Sequence, residues 1–266
     1  GVGDAEGGGY QVLLDGRPIK TPRMSKLVLP TYRLALAVAA EWDRQPHKPG
    51  VFRPNLMPLM TLAASSVDEV PAKREKMLNS TLRAFTGDVV AYRVDDPPDL
   101  AAIQAETFDP ILKSLEDSYG IAVNTTTTFF MPEQPAESIE IMDHFLRSLT
   151  DWQLAGYQQL TANLKSLVLS RALMNRWVSI EGAVECSQVE EYYQRAQRRG
   201  TGGFVEGMHD VDLADITLGV AGASTFLHLI DSDVEVHAEA ENLDHRGLAG
   251  RSMENAKHWA DRDTLA

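Results

Sequence analysis

The sequence contains a single cysteine, Cys186, among 266 residues. One thiol cannot form an internal disulfide framework, so the composition favours a reducing compartment. A structural zinc site would need three or four His or carboxylate ligands instead of thiolates, and we predict no metal and no cofactor. No uninterrupted run of about 18 apolar residues is present, which predicts that no helix spans a bilayer.

Positive charge is also scarce. The chain has 25 Lys and Arg against 38 Asp and Glu, a formal net charge of -13. Nucleic acids and anionic membranes would repel such a chain, so its charge favours a protein partner. The segment 231–266 holds nine acidic and four basic residues and has little apolar periodicity. It is predicted to be an acidic tail, disordered or bound to a partner.

Short extended segments and helices alternate in the first 95 residues. The Asp-Gly pair in "YQVLLDGRPIKTP" predicts a β-hairpin, whereas the Gly-rich first ten residues are predicted to be loose. "KLVLP" and "DVVAYRV" are predicted to be extended, the latter as a strand. Thr31 is predicted to cap a helix with an apolar stripe at spacings of four, formed by Leu34, Val38 and Trp42.

Helical periodicity dominates after "DDPPD", where two prolines indicate a linker and Asp99 is a candidate helix N-cap. "IAVNTTTTFF" is the exception and is a strand or an extended connection. We therefore predict an α+β fold with an N-terminal α+β domain, an all-α domain and the tail, at residues 1–95, 99–230 and 231–266. The predicted helices cover residues 100–118, 136–149, 152–175, 179–199 and 210–229.

Patterns typical of catalysis are weak. "GDAEGGGY" lacks the Lys-Ser/Thr of a phosphate-binding loop, "GTGGF" follows a helix rather than a strand, and no G-x-S-x-G is present. Cys186 lies on an apolar stripe with Val189, Tyr193 and Ala196, a position typical of core packing. These observations favour a protein that is not an enzyme.

The segment "GFVEGMHDVDLAD" concentrates acidic residues around one histidine. Asp210 is predicted to cap the next helix and Asp212 to lie in its first turn, where the helix dipole favours acids. Glu206 and His209 have no such role in the helix. Because a basic helix end precedes this loop, it resembles a recognition surface more than a reaction centre.

Ten short phrases occur in an order that is familiar from one protein family, and they extend from Tyr10 to Ile230. They include "VLLDGRPIKTP", "AAEWDRQ", "GDVVAYRV", "LKSLVLSRAL", "EEYYQ" and "VEGMHDVDLAD". The chain resembles the F-type ATP synthase assembly chaperones that bind the α subunit of the catalytic head. The resemblance implies a non-enzymatic protein that holds α before α pairs with β. It also implies the mitochondrial matrix in eukaryotes and the cytoplasm in bacteria.

The resemblance further implies a functional acid at Glu190, Glu191 or Glu206, and it leaves the choice open. The simpler interpretation is that Glu190 and Glu191 form a solvated helix face, with Glu191 supporting Arg195 at i+4. The predicted partner-binding residues are Glu190, Glu191, Tyr192, Glu206, His209 and Asp210.

The sequence departs from the family pattern in the same region. The family's Trp-Gly is replaced here by Arg199-Gly200, a "TGGF" insertion lengthens the loop that follows, and the chain continues beyond Ile230. These departures suggest a second hypothesis, in which the protein is a fixed structural or accessory subunit of a larger, mitochondrial complex.

Overall fold

The computed structural model describes residues 1–46, 53–200 and 208–231. Within them, a three-stranded antiparallel sheet in the order β1-β2-β3 is followed by a helical region, which confirms the predicted α+β class. The strands are β1 Val2–Asp4, β2 Tyr10–Leu14 and β3 Arg17–Pro18. The helices are α1 Tyr32–Asp43, α2 Pro58–Asp68, α3 Val70–Thr86, α4 Pro98–Tyr119, α5 Ala136–Ser148, α6 Asp151–Leu164, α7 Leu167–Met174, α8 Ile180–Ser187, α9 Val189–Gly200 and α10 Met208–Ile230.

The predicted hairpin is confirmed. Asp15 and Gly16 have φ values of 50° and 75°, which allow the tight turn that pairs β2 with β3. The prediction of a loose N-terminus is wrong, because β1 pairs with β2 from Val2 opposite Val12. Strand β2 thus pairs with β1 on one side and with β3 on the other, and this pairing provides hydrogen-bond partners for its backbone amides and carbonyls.

Helix α1 begins at the predicted cap. The Thr31 hydroxyl accepts a hydrogen bond from the Leu34 amide at 3.2 Å. Leu34 and Val38 are fully buried, but Trp42 is only half-buried, and Glu41 is buried in its place. Glu41 faces inward to accept hydrogen bonds from amides at the start of α2, which the apolar stripe did not reveal.

The segment "DVVAYRV" was predicted to be a strand and forms a short 3-10 helix, Val89–Ala91. The Asp88 carboxylate begins this helix by accepting a hydrogen bond from the Val90 amide at 3.2 Å. Tyr92 makes a single parallel bridge to Thr126, so "IAVNTTTTFF" is an extended connection. A buried cap outweighs the strand preference of the β-branched residues here.

Two predicted helices are each divided in the structure. The range 152–175 breaks where Lys165 has a φ of 52° and Ser166 caps α7, its hydroxyl accepting a hydrogen bond from the Leu169 amide at 2.8 Å. The range 179–199 breaks at Gln188, between α8 and α9. In both cases the apolar spacing continues across the break, so periodicity alone does not reveal it.

Contacts between residues divide the chain into two compact units. The first unit contains Gly1–Thr81, Phe145–Leu160 and the described residues from Ala221 onward. The second contains Leu82–His144 and Thr161–Val220. Helices α3, α5, α6 and α10 contribute residues to both units. The domain boundaries at residues 95–99 and 230 remain a prediction.

Helix α10 is the described helix that bears on the prediction that no helix spans a bilayer. Its segment Leu213–Ile230 is long and apolar enough to cross a bilayer by length and composition, with a mean hydropathy of 1.5. Its C-terminal half is nevertheless packed within the first unit. Phe226 stacks on Trp152 with ring centroids 6.0 Å apart, and the Leu229 carbonyl accepts a hydrogen bond from Thr31. Length and composition alone do not distinguish a helix that packs partly within a protein from a membrane span.

Candidate partner-binding site

The predicted acids lie at the start of α9. Gln188 has a φ of -124° and ends α8, and the helix restarts at Val189. Glu190 and Glu191 therefore occupy the first turn of α9, where unpaired amides and the helix dipole favour negative charge. Both side chains are exposed. The structure thus brings two solvent-facing carboxylates to one helix end.

Gln104 of α4 holds one of these carboxylates. Its Nε2 donates a hydrogen bond to Oε1 of Glu190 at 3.1 Å, and its Oε1 accepts one from the Val94 amide at 2.8 Å. The Gln104 residue is only 2% exposed. Sequence analysis did not identify Gln104. The available signal was a polar residue within the apolar stripe of α4, between Leu100 and Phe108.

Arg93 forms further hydrogen bonds to α4, next to Gln104. Its guanidinium donates hydrogen bonds to the carbonyls of Val90 and Gln104 at 3.0 Å each, and to Asp109 at 2.9 Å. The guanidinium also lies over the Phe108 ring, 4.9 Å from its centroid. The segment around Arg93 is therefore fixed to α4 by charge-assisted hydrogen bonds and a cation–π contact.

Tyr193 ties α9 to the start of α4. Its hydroxyl donates a hydrogen bond to Asp99 at 2.8 Å, and burial together with this bond raises the pKa of the phenol. Asp99 is not the predicted N-cap. Pro97 occupies that position because Pro98 suits the first helical residue. The Asp99 carboxylate instead accepts hydrogen bonds from Tyr193 and from the Leu100 amide.

Tyr192 lies beside Arg195 on α9. The Arg195 guanidinium carbon is 5.5 Å from the Tyr192 ring centroid, and burial raises the pKa of the Tyr192 phenol. Within the part of the chain that the structure describes, no ion pair joins Glu191 to Arg195. Arg195 is therefore engaged with the aromatic ring, and the Glu191 carboxylate faces solvent.

A small cavity of about 70 Å³ lies behind Glu190 and Glu191, and Cys186 forms part of its wall. Burial raises the pKa of the Cys186 thiol to about 12, with the Glu185 charge as a smaller cause. The predicted core position of this residue is confirmed. A thiol with so high a pKa remains protonated and is a poor nucleophile near neutral pH.

Comparison with known proteins gives consistent results. The family model described as ATP12 chaperone protein matches residues 1–116. Protein atp12, mitochondrial, of Schizosaccharomyces pombe is 25% identical over 237 residues, which cover 85% of this chain and 79% of that protein. The crystal structure of Atp12 from Paracoccus denitrificans is 28% identical with a TM-score of 0.77, covering 86% of this chain and 95% of that one. Over most of its length the chain is similar to ATP12 chaperones. These are the ATP synthase assembly chaperones that the sequence resembles.

The ATP12 fold extends over most of the chain. A protein from Agrobacterium tumefaciens with a solved structure is 26% identical and also has a TM-score of 0.77, covering 86% of this chain and 83% of that one. The share of the chain that these structures cover is larger than residues 1–116, so the agreement extends beyond the residues that the family model matches.

The other predicted site residues of this ATP12-like chain are less well defined. Glu206 lies outside the described residues. His209 and Asp210 fall in the first turn of α10, which begins at Met208, so the prediction that Asp210 is the N-cap is wrong. Among the residues that the structure describes, no three His, Cys, Asp or Glu side chains converge as metal ligands.

Proposed function

We propose that this protein binds the α subunit of the F-type ATP synthase catalytic head before α pairs with β, and that it catalyses no reaction. Its similarity to ATP12 chaperones supports a role in assembly. The observation that carries the proposed contact is the exposed Glu190 carboxylate held by buried Gln104. The proposed contact residues are Glu190, Glu191, Tyr192, Glu206, His209 and Asp210.

A carboxylate that is fixed and exposed suits recognition of a partner. Holding the side chain before binding lowers the ordering cost that association would otherwise incur. Exposed charges also steer the approach of a partner and contribute to specificity and association rate more than to tight affinity. A chaperone needs fast but reversible binding, because it must cover the apolar surface that an unassembled subunit exposes and later release that subunit.

The remaining features are compatible with this role. The thiol of Cys186 is buried with a raised pKa and is unsuited to covalent catalysis. The relative from Schizosaccharomyces pombe is named as mitochondrial, which supports a mitochondrial location. We propose the matrix as the compartment if the organism is eukaryotic, and the cytoplasm if it is bacterial.

The test is co-purification of the full chain with α subunit expressed without β. Wild type is expected to retain α in a soluble complex, and added β is expected to displace it. Glu190→Lys is expected to weaken the complex at least tenfold. Glu137→Lys is the matched control, because Glu137 is an exposed acid at the second position of α5, as Glu190 is of α9.

Failure of wild type to retain any α subunit would refute the proposal. Equal losses in Glu190→Lys and Glu137→Lys would indicate a general charge effect rather than a contact. Sedimentation at a fixed ratio in a large particle, lost when residues 231–266 are removed, would instead support the accessory-subunit hypothesis.

A further inference from the structure

We infer that the loop Asn124–Gln134 is a second contact for the α subunit and inserts Phe129 and Phe130 into an apolar recess of that partner. This inference rests on the proposed function. Phe129 is 104% exposed and Phe130 is 82% exposed, and the next residue, Met131, is 57% exposed. Three consecutive large apolar side chains in water are unusual for a chain that works alone.

The base of the loop is closed by side-chain hydrogen bonds. The Asn124 amide donates to Oε1 of Gln134 at 2.9 Å, and Nε2 of Gln134 donates back to the Asn124 carbonyl at 3.1 Å. Nδ2 of Asn124 also donates to the Glu133 carbonyl at 2.8 Å. Gln134 is buried. The two ends of the loop are therefore held together, and the apolar tip is presented from a defined base.

The first half of the loop, around Thr126, is also held by backbone hydrogen bonds. The Thr126 amide donates to the Ala91 carbonyl, and the Arg93 amide donates to the Thr126 carbonyl, both at 2.8 Å. Near the tip, the Thr128 hydroxyl accepts a hydrogen bond from the Phe130 amide at 3.3 Å. This order lowers the entropy cost of docking the rings, and burial of the two phenyl side chains in an apolar recess favours binding.

Charge distinguishes between the possible binding partners of this loop. The stretch 125–132, "TTTTFFMP", carries no charged side chain, whereas the whole chain has a net charge of -13. An anionic bilayer would repel the chain, and so would a second copy of it. An uncharged apolar recess on a different protein fits best, and the unassembled α subunit is the partner that the proposed function supplies.

The loop and Glu190 are linked through one hydrogen-bonded framework in the second unit. The Arg93 backbone pairs with Thr126, and its guanidinium donates to the Gln104 carbonyl. Gln104 in turn donates to Glu190. The apolar tip and the acidic helix end are thus both fixed to the same short segment, so one partner could engage an apolar anchor and a charge together.

The test measures binding of purified α subunit to the full-length double variant Phe129→Ser/Phe130→Ser. We expect at least tenfold weaker binding with unchanged thermal unfolding, because both side chains are exposed. Phe129→Leu/Phe130→Leu is expected to stay within about threefold of wild type. Met24→Ser is the control, since Met24 is a 68% exposed apolar residue of the first unit.

Any of the following outcomes would overturn the inference. If the double Ser variant binds α as wild type does, the inference fails and the proposed function stands. If wild type itself binds no α, both fail. If α binding persists and the double variant instead loses self-association, the loop binds a second copy of the chain. If it instead loses sedimentation with phosphatidylcholine vesicles, the loop binds a membrane. Should the variant not fold, a photo-crosslinking residue placed at Phe130 must crosslink α, and its failure to do so overturns the inference.

Discussion

Nε2 of Gln104 lies 3.1 Å from Oε1 of Glu190, and this hydrogen bond joins residues 86 positions apart in the chain. Gln104 is buried and uses its other amide atom to accept a hydrogen bond from the Val94 backbone. The Gln104 side chain therefore provides an acceptor for the partly buried Val94 amide and orients the exposed carboxylate of Glu190. The position of the acid depends on packing between α4 and α9 as well as on its own helix.

Replacing Gln104 with Ala is expected to affect both stability and recognition. The Val94 amide loses its acceptor, which costs about 1–3 kcal/mol of unfolding free energy. Glu190 loses its hydrogen bond, so binding to the α subunit is expected to weaken even at temperatures where the variant is fully folded. Chemical denaturation and a binding titration measure the two effects separately. Glu190→Gln is the companion variant, since it keeps an acceptor oxygen for Gln104 and removes only the charge. Unchanged binding in Gln104→Ala would contradict the positioning role.

Glu41→Ala is expected to destabilise the fold by roughly 2 kcal/mol. Its buried carboxylate accepts hydrogen bonds from the amides of Leu59 and Met60 at 2.8 Å each, and so caps α2 from a neighbouring helix. Urea unfolding measures the change. Asp43→Ala is the matched control on the same helix, because Asp43 is exposed, and it is expected to change stability by no more than about 0.5 kcal/mol. Equal effects of the two variants would refute the capping role.

Asp88 is expected to make stability depend on pH. Burial raises the pKa of this carboxyl to about 6 from an ordinary value of 3.8. Between these two values the folded state holds a proton that the unfolded state has released, so the contribution of Asp88 falls as pH rises and is lost above about pH 6. Asp88→Asn cannot titrate. The difference in unfolding free energy between wild type and this variant should therefore decrease from pH 4 to pH 6, as urea titrations at several pH values would reveal.

The Asp88→Asn variant should also be less stable by an amount that does not depend on pH. The carboxylate accepts hydrogen bonds from the amides of Val90 and Val168 on separate oxygens, and an amide side chain offers only one acceptor oxygen. Parallel profiles across pH 4 to 6 would contradict the raised pKa.

Gly156→Ala is expected to destabilise the first unit by about 1–3 kcal/mol. A Cβ added at Gly156 would lie 2.6 Å from Cγ of Leu227, which is fully buried and has no room to move. This clash outweighs the gain of about 1 kcal/mol in helix propensity. Gly182→Ala is the control, because its Cβ would lie 3.4 Å from the Ser179 hydroxyl oxygen, and the propensity gain should dominate there. A stabilised Gly156→Ala in thermal unfolding would refute the close packing.

Local patterns predicted several elements correctly. Asp15-Gly16 required a turn with positive φ, Thr31 provided a hydroxyl at a helix start, and Cys186 lay among apolar neighbours in sequence and in space. The breaks at Lys165 and Gln188 were missed because apolar spacing continues across both. The N-cap assigned to Asp99 was wrong because the helix begins at Pro98, which places Asp99 within the first turn.

The sequence by itself determined the α+β class, the hairpin, most helix positions and the acidic pair at Glu190 and Glu191, because each depends on residues within a few positions of one another. Only the tertiary structure decided that Glu41 is buried, that Gln104 holds Glu190, and that Phe129 and Phe130 are left in water. Burial and long-range hydrogen bonds depend on which segments meet in space. The spacing of apolar residues along the chain indicates which residues can be buried. Whether a given residue is buried depends on the segments that pack against it in the folded protein.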